Sequence, residues 1–497
     1  MELPQRMRQK NKTTTKQKPA QAVGSSTVNG DETAPALEEI APNGDLVLIV
    51  QHDLHPVAAA ATSPTSNGTA TTSECTYVVR CEALRHASPY FRMLLDPHKF
   101  GEGKMVAEKH RQMADKDERA ARRSLDGIHQ TDGRQSLSSR HKSNGHDFPE
   151  GKNSTNGQHS LEDLPMITIK DIGRTSSVKT IRGLMGDFLR VLHGLDPLAS
   201  QPAPPLVNIA NLCVVADRFD ALEALRAYFK SKRTLQLLDG KTPSLATKSL
   251  SEEKTRQRLF VGLMLHDPYW VWHASLRLMH QGWIDRLSPD TASQWWDLPS
   301  GIEEELLFRR ECILETFQSV QSYFLDLYCS RERQCKLGYD SSGECDIFQL
   351  GQMVRFLRKI NSLELAGTLL PVVSDAEDEL QAAYDGDVAN IIDSMRQCPE
   401  YQIDKNHHHC GLRTRLMPIL DLIEYSLTEV AVCLTCWTEC RSDYAWSQVK
   451  RPLIWKRDSV GSSMVQKYNM RQSQSHLFKH LESRDMFMAV DRVWTSR

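Results

Sequence analysis

The sequence predicts an α+β unit, a small sheet covered by helices, followed by an all-α region. Three observations predict it. Two strand-length runs, Leu46-Val47-Leu48-Ile49-Val50 and Tyr77-Val78-Val79-Arg80-Cys81, are joined much later by a third, Met166-Ile167-Thr168-Ile169. Short runs of β-branched and aliphatic residues suit strands of a half-buried sheet. Apolar stripes at three- and four-residue spacing follow the second and third runs, and from residue 255 onward that helical period dominates.

At 497 residues the chain is longer than one ordinary domain, so two folded units with linkers are expected. Hydrophobic residues make up 40% and charged residues 25%, enough for real cores diluted by polar stretches. A formal net charge of -2 provides no global attraction to nucleic acid or to an anionic membrane. The most apolar stretch, residues 416–437, is interrupted by Asp421, Glu424 and Glu429, which argues against a membrane span. The N-terminus has no apolar signal region, so the chain is expected to be intracellular, nuclear or cytoplasmic, with its 12 cysteines free of disulfides.

Taken in order, residues 1–42 read as a disordered arm of Lys, Gln, Thr, Ala and Pro, whose basic run at 6–18 is read as a solvated tail. Residues 43–100 hold the first two strands, joined by an enlarged loop over 55–73. They also hold a helix marked by Leu84, Ala87, Tyr90, Phe91, Leu94 and Leu95, which Ser88-Pro89 suits as a start. Residues 101–163 are Lys, Arg, His, Asp, Ser and Gly with scattered Leu125, Ile128 and Phe148, and read as a disordered insertion. Basic serine strings there, Arg122-Arg123-Ser124 and Arg134 with Ser138, are candidate phosphorylation sites.

Residues 164–235 resume order with the third strand, a helix through Leu184, Phe188, Leu189 and Leu192, and a helix pair over 208–228 broken between Asp217 and Asp220. Residues 236–254 read as a linker. Residues 255–445 form the α-helical region, with helices expected at 256–283, 302–328, 347–360, 376–396 and 412–436. Trp270, Trp272, Trp283, Trp295 and Trp296 are read as core residues rather than a peptide groove. Residues 446–497 form a tail with one weak helix at 473–493.

The stretch from Val78 to Leu95 resembles the BTB/POZ family, in which a strand is followed by "x-x-L-x-x-x-S-x-Y-F-x-x-L". Leu84, Ser88, Tyr90, Phe91 and Leu94 fall on those positions. Phe188 to Gly194 resembles that family's "F-x-x-x-L-x-Y-x-Y-T-G". Asn208 to Leu222 resembles its "N-x-x-x-L-x-x-A-D-K-F-x-V-x-x-L". The later segments Leu298-Pro299-Ser300-Gly301-Ile302 and Cys410-Gly411-Leu412-Arg413 resemble the helical C-terminal region of fungal BTB proteins. The resemblance implies self-association or partner docking and, in some members, service as a substrate adaptor for a cullin-type ubiquitin ligase. The sequence departs from the family in two places. The arm stands where swapped dimers carry a helix and strand, and Lys170-Asp171-Ile172-Gly173 offers no hydrophobic-x-Glu signature for a cullin.

Chemistry-bearing motifs are sparse. There is no G-x-S-x-G, H-E-x-x-H or phosphate-cradling glycine loop, and the run Asp340 to Asp346 has Cys345 where a calcium loop needs glycine. Cysteines and histidines do gather late in the chain. Cys433-x2-Cys436 has knuckle spacing with Cys440 one turn on, yet Val430, Ala431, Val432 and Leu434 around it point to buried thiols. Were a metal bound, Cys329, Cys335, Cys345 and Cys410 with one of His407, His408 or His409 would form the set.

The expected protein is a non-enzymatic interaction adaptor with no catalytic, cofactor-binding or metal residue, no cofactor, protein partners that include a second copy, and neither membrane nor nucleic acid bound. The alternative readings are a nuclear regulator touching nucleic acid through basic segments, or a cullin-type ligase adaptor.

Overall fold

A computed structural model describes residues 37–53, 72–129, 161–175, 181–197, 204–241, 250–284, 293–335, 337, 340–360, 384, 386–457 and 472–495. The fold is mixed α+β and mostly helical. Strands β1 (Leu37–Glu39), β2 (Leu46–Asp53), β3 (Thr72–Val79) and β4 (Met166–Ile169) form one sheet in the order β1-β3-β2-β4. β2 and β3 run antiparallel, with Leu46 opposite Val79, while β4 is parallel to β2 and β1 is parallel to β3.

The alternation read from the sequence sets the two faces. Leu46, Leu48, Val50, Tyr77 and Val79 are fully buried on one, and Val47 and Val78 are buried on the other. Gly44 admits the turn into β2, because a Cβ there would lie 2.5 Å from Val78 Cγ1 and 3.0 Å from the Val79 nitrogen.

Helices α1 (Cys81–Ala87) and α2 (Pro89–Leu94) follow β3 at once. Ser88 shapes the joint between them: its hydroxyl accepts the Phe91 N–H at 3.1 Å as a cap and donates to the Phe219 carbonyl at 2.6 Å, fully buried. Pro89 fits the first helical position, where an N–H would have no partner.

The insertion departs from expectation. Composition pointed to disorder from residue 101, but α3 (Gly101–His129) begins there. Its buried Val106 and Met113, seven residues apart, lie on one stripe, and Met113 packs with Val47, Val78 and Leu164 over the sheet's second face. His110 Nε2 also bonds the Asp45 carbonyl at 2.8 Å. Residues 130–160, the rest of that insertion, lie outside the described residues, as does most of the loop at 55–73.

The arm is corrected in part as well. Leu37–Glu39 forms β1, and Glu38 is held by Arg190 at 2.9 Å and Arg182 at 3.4 Å. Residues 1–36, including the basic run, are not among the described ones.

Helix α4 (Ile181–Leu192) packs on β3, and α5 (Leu206–Arg218) and α6 (Leu222–Lys232) pack on α4 and share the core of the first face. The break expected near Asp220 is present, with that residue in the left-handed region at φ 48°. Phe219 sits at the break and stacks on Phe91 at 5.4 Å and on Phe188 at 5.6 Å.

The expected linker begins as α7 (Thr234–Lys241), where Asp239 accepts the Trp270 indole N–H at 2.8 Å and pairs with Arg258 at 3.1 Å. Next come α8 (Glu252–Leu265), α9 (Pro268–Gln281), α10 (Ile302–Cys329), α11 (Ser342–Lys359), α12 (Val388–Arg396), α13 (Leu412–Leu427), α14 (Leu434–Glu439) and α15 (Arg441–Tyr444). The helix expected over 256–283 is two, because His266 turns left-handed at φ 55° and Asp267 caps α9 by accepting the Trp270 N–H at 2.9 Å.

The supposed tail is ordered. Strand β5 (Ile454–Lys456) pairs in parallel with β6 (Asp491–Val493), and α16 (Gln472–Met488) lies between them in sequence. Trp446, Trp455, Phe487, Met488 and Trp494 from this stretch are buried in the main core. That core also contains Leu48, Phe91 and Phe188, so the two regions expected to be separate domains share one hydrophobic interior from residue 37 onward.

Candidate functional site

Two clusters of cysteine and histidine close over in the helical region, each assembled from segments distant in sequence. In the first, Cys335 comes from the turn after α10, Cys345 from the first turn of α11, and His407 and Cys410 from the loop before α13. One donor atom each from Cys335, Cys345 and His407 lies within 4.8 Å of the others, and all three residues are buried. The Cys410 sulfur stands 3.7 Å from that of Cys335.

The loops are pinned from outside. The Asp346 carboxylate accepts the N–H groups of Gln334 at 2.7 Å and Cys335 at 3.0 Å. Asp404 accepts from His407 Nδ1 at 2.9 Å, which places the lone pair of the neutral ring on Nε2. Gln349 ties the third segment, donating to the Tyr401 carbonyl at 2.8 Å and accepting the Leu412 N–H at 3.4 Å.

Burial resists ionisation of Cys335, but hydrogen bonds from Ser342, the Leu337 backbone, Cys410 and Cys345 outweigh it and hold the thiol below its usual range. Burial drives Cys345 up to about 12, with the neighbouring thiols adding to the effect.

In the second cluster, Cys433 and Cys436 flank the start of α14, and His480 reaches in from α16 with a donor atom within 4.8 Å of both sulfurs. Cys440 ends α14 and hydrogen-bonds the Cys436 thiol. The Cys433 peptide N–H donates to the Tyr444 hydroxyl at 2.7 Å. His480 lies between the rings of Trp272 at 5.7 Å and Tyr444 at 5.6 Å, with Glu429 3.9 Å from its Nδ1. The hydrogen bond from Cys436, helped by His480 and opposed by burial, holds Cys433 well below the thiol range, and the same bond together with burial raises Cys436.

Of the conditional metal set read from the sequence, Cys335, Cys345 and Cys410 do meet, joined by His407. Cys329 is exposed, and His408 and His409 form a separate exposed group with Glu400. The ligand-type residue missed was His480, whose lone position on α16 left no spacing signal. A fourth grouping, Asp45, Cys81 and His110, has a structural explanation: the Asp45 carboxylate accepts the Cys81 N–H at 2.7 Å.

The tryptophans fall where expected, Trp270 and Trp295 in the core and Trp272, Trp283 and Trp296 packed against it. Arg122, Arg123 and Ser124 lie on α3, and Arg134 and Ser138 lie outside the described residues. No helix among the described residues is long and apolar enough to cross a membrane.

A second feature is an apolar surface on and after α2. Tyr90 and Met93, one turn apart, are 39% and 47% exposed, and Phe100 just beyond is 45% exposed. Compared with protein-family models, curated proteins and solved structures, the chain matches none.

Proposed function

We propose that the chain is a BTB/POZ-like, non-enzymatic interaction adaptor that associates with a second copy of itself through the surface around α2. One observation carries the reading: the three sequence blocks that resemble the family meet at a single point. Ser88 and Phe91 from the first, Phe188 from the second and Phe219 from the third form one stacked, hydrogen-bonded unit. Residues matched by chance across about 130 positions have no reason to share one contact. The order β1, β2, β3, α1, α2, α3, β4, α4, α5, α6, with α3 standing in the insertion, supports the same reading.

The docking face follows from exposure. Met93, one turn from Tyr90 on α2, and Phe100, six residues past α2, are exposed apolar side chains, and the Tyr90 ring is already fixed edge-on against Phe219 at 5.3 Å. Sedimentation of the full chain tests this: the expected mass is that of a dimer, and Met93→Glu with Phe100→Glu shifts it to a monomer without lowering the melting temperature. A chain that stays monomeric at every concentration overturns self-association.

A further inference from the structure

We propose that the helical region holds two structural zinc ions, one on Cys335, Cys345, Cys410 and His407, the other on Cys433, Cys436, Cys440 and His480. Structural zinc takes four sulfur and nitrogen ligands in a tetrahedron, and a Zn–S bond of about 2.3 Å places ligand sulfurs roughly 3.8 Å apart. The Cys335 and Cys410 sulfurs stand at 3.7 Å. That matches a tetrahedral edge and is nearly twice the roughly 2.0 Å of a disulfide. The donor atoms of Cys335, Cys345 and His407 lie within 4.8 Å of one another, and Cys410 adjoins them through its contact with Cys335.

The surroundings fit ligands rather than packing. A metal-bound histidine typically donates its other ring nitrogen to a carboxylate, which fixes the tautomer; His407 donates Nδ1 to Asp404, and its Nε2 stands 3.4 Å from the Ser341 hydroxyl, a weak contact at the start of the helix that carries Cys345. Arg415, anchored on the Gln334 carbonyl at 2.8 Å, sets positive charge near Cys410, which would bind as a thiolate. In the second set, Cys433-x2-Cys436 is a knuckle and His480 approaches from a distant helix with Glu429 on its Nδ1 side.

Buried thiols elsewhere in the chain, such as Cys213 and Cys312, sit singly among apolar side chains as small hydrophobic groups do. Apolar packing gives no reason for thiols and an imidazole from distant segments to converge twice, with Cys440 one turn past Cys436 and hydrogen-bonded to its thiol as the fourth ligand of the second set. Each set provides four protein ligands and so leaves no open position for a substrate, as structural sites do. The first ion would join the turn after α10 to the loop before α13, and the second would clip α16 onto α14.

The test is zinc content of the full chain purified without a metal-affinity step, with two equivalents expected. Cys345→Ser and Cys436→Ser each remove one, whereas Cys329→Ser and His408→Ala, outside both sets, remove none. Cobalt exchanged into the unaltered chain reads the same ligands without any variant, through intense visible d–d bands and thiolate-to-metal charge transfer. It therefore decides the matter if a serine variant fails to fold. A folded chain that carries no zinc and shows no cobalt–thiolate bands overturns the proposal. A single equivalent, lost in only one of the two serine variants, overturns the other site.

Discussion

Glu305 and Arg309, one turn apart on α10, are 0% and 1% exposed, and a charge so placed survives only if it is paired and hydrogen-bonded. Both conditions hold. Arg309 Nε donates to Glu305 at 2.7 Å, and its guanidinium reaches the Val430 carbonyl at 2.8 Å and lies over the Tyr444 and Trp446 rings. Glu305 also accepts the Trp446 N–H at 2.8 Å and the Ser447 hydroxyl at 2.7 Å. Breaking such a pair strands one charge and costs roughly 3–5 kcal/mol, so Arg309→Met is expected to lower unfolding stability by that amount in chemical denaturation. The pair also sets an acid limit. Burial raises the Glu305 pKa, but Arg309 and the Ser447 and Trp446 donors outweigh it and hold the carboxyl below its ordinary 4.5. Because the folded value lies below the unfolded one, this stabilisation is complete above about 4.5 and is lost as pH falls through the folded value. Denaturation curves from neutral to acid pH should therefore show a shallower acid-side decline for Glu305→Gln than for the unaltered chain.

At the scale of elements, α3 shows where sequence reading stops and why. The strands and α1, α4, α5 and α6 were legible because they bury apolar residues at a regular period, and α2 because Ser88-Pro89 marks its start. α3 buries few side chains, Val106 in the main core and Met113 over the sheet's second face, and most described side chains from Glu108 to Arg119 are exposed, so its composition resembles that of an unfolded segment. Its start depends on a close approach. A Cβ on Gly103 would stand 2.3 Å from the Asp96 carbonyl oxygen, a backbone atom that cannot swing aside. Gly103→Ala must therefore shift α3 or the turn before it, at a cost of about 1–3 kcal/mol. Amide exchange locates the damage: protection should fall along α3 and at Val47 and Val78, which it covers, and stay unchanged in α10. Unaltered protection along α3 would mean that the helix does not depend on this contact.

For the whole molecule, the element types were legible but their assembly was not. Polar stretches at 236–254 and after 446 looked like a linker and a tail because polarity was read without partners, and the partners lie far away in sequence. Asp239 is engaged by Trp270 and Arg258, Arg451 bonds the Met488 carbonyl at 2.8 Å, and Arg226 of α6 reaches the Met264 carbonyl of α8 at 2.7 Å. The same limit hid the second Cys/His cluster, since nothing near His480 in sequence points to Cys433. These long-range ties, with the shared core, mean that neither the sheet region nor the helical region is closed without the other. Unfolding should accordingly be one cooperative event. The chain offers a way to see this, because all 9 tryptophans lie at or after Trp270 and their fluorescence reports the helical region alone. Amide exchange in β2 and β3 reports the sheet. If the core is one, the two probes give the same denaturant midpoint and the same slope. Loss of strand protection at a midpoint clearly below that of the tryptophans would show two units folding separately and would refute a shared interior.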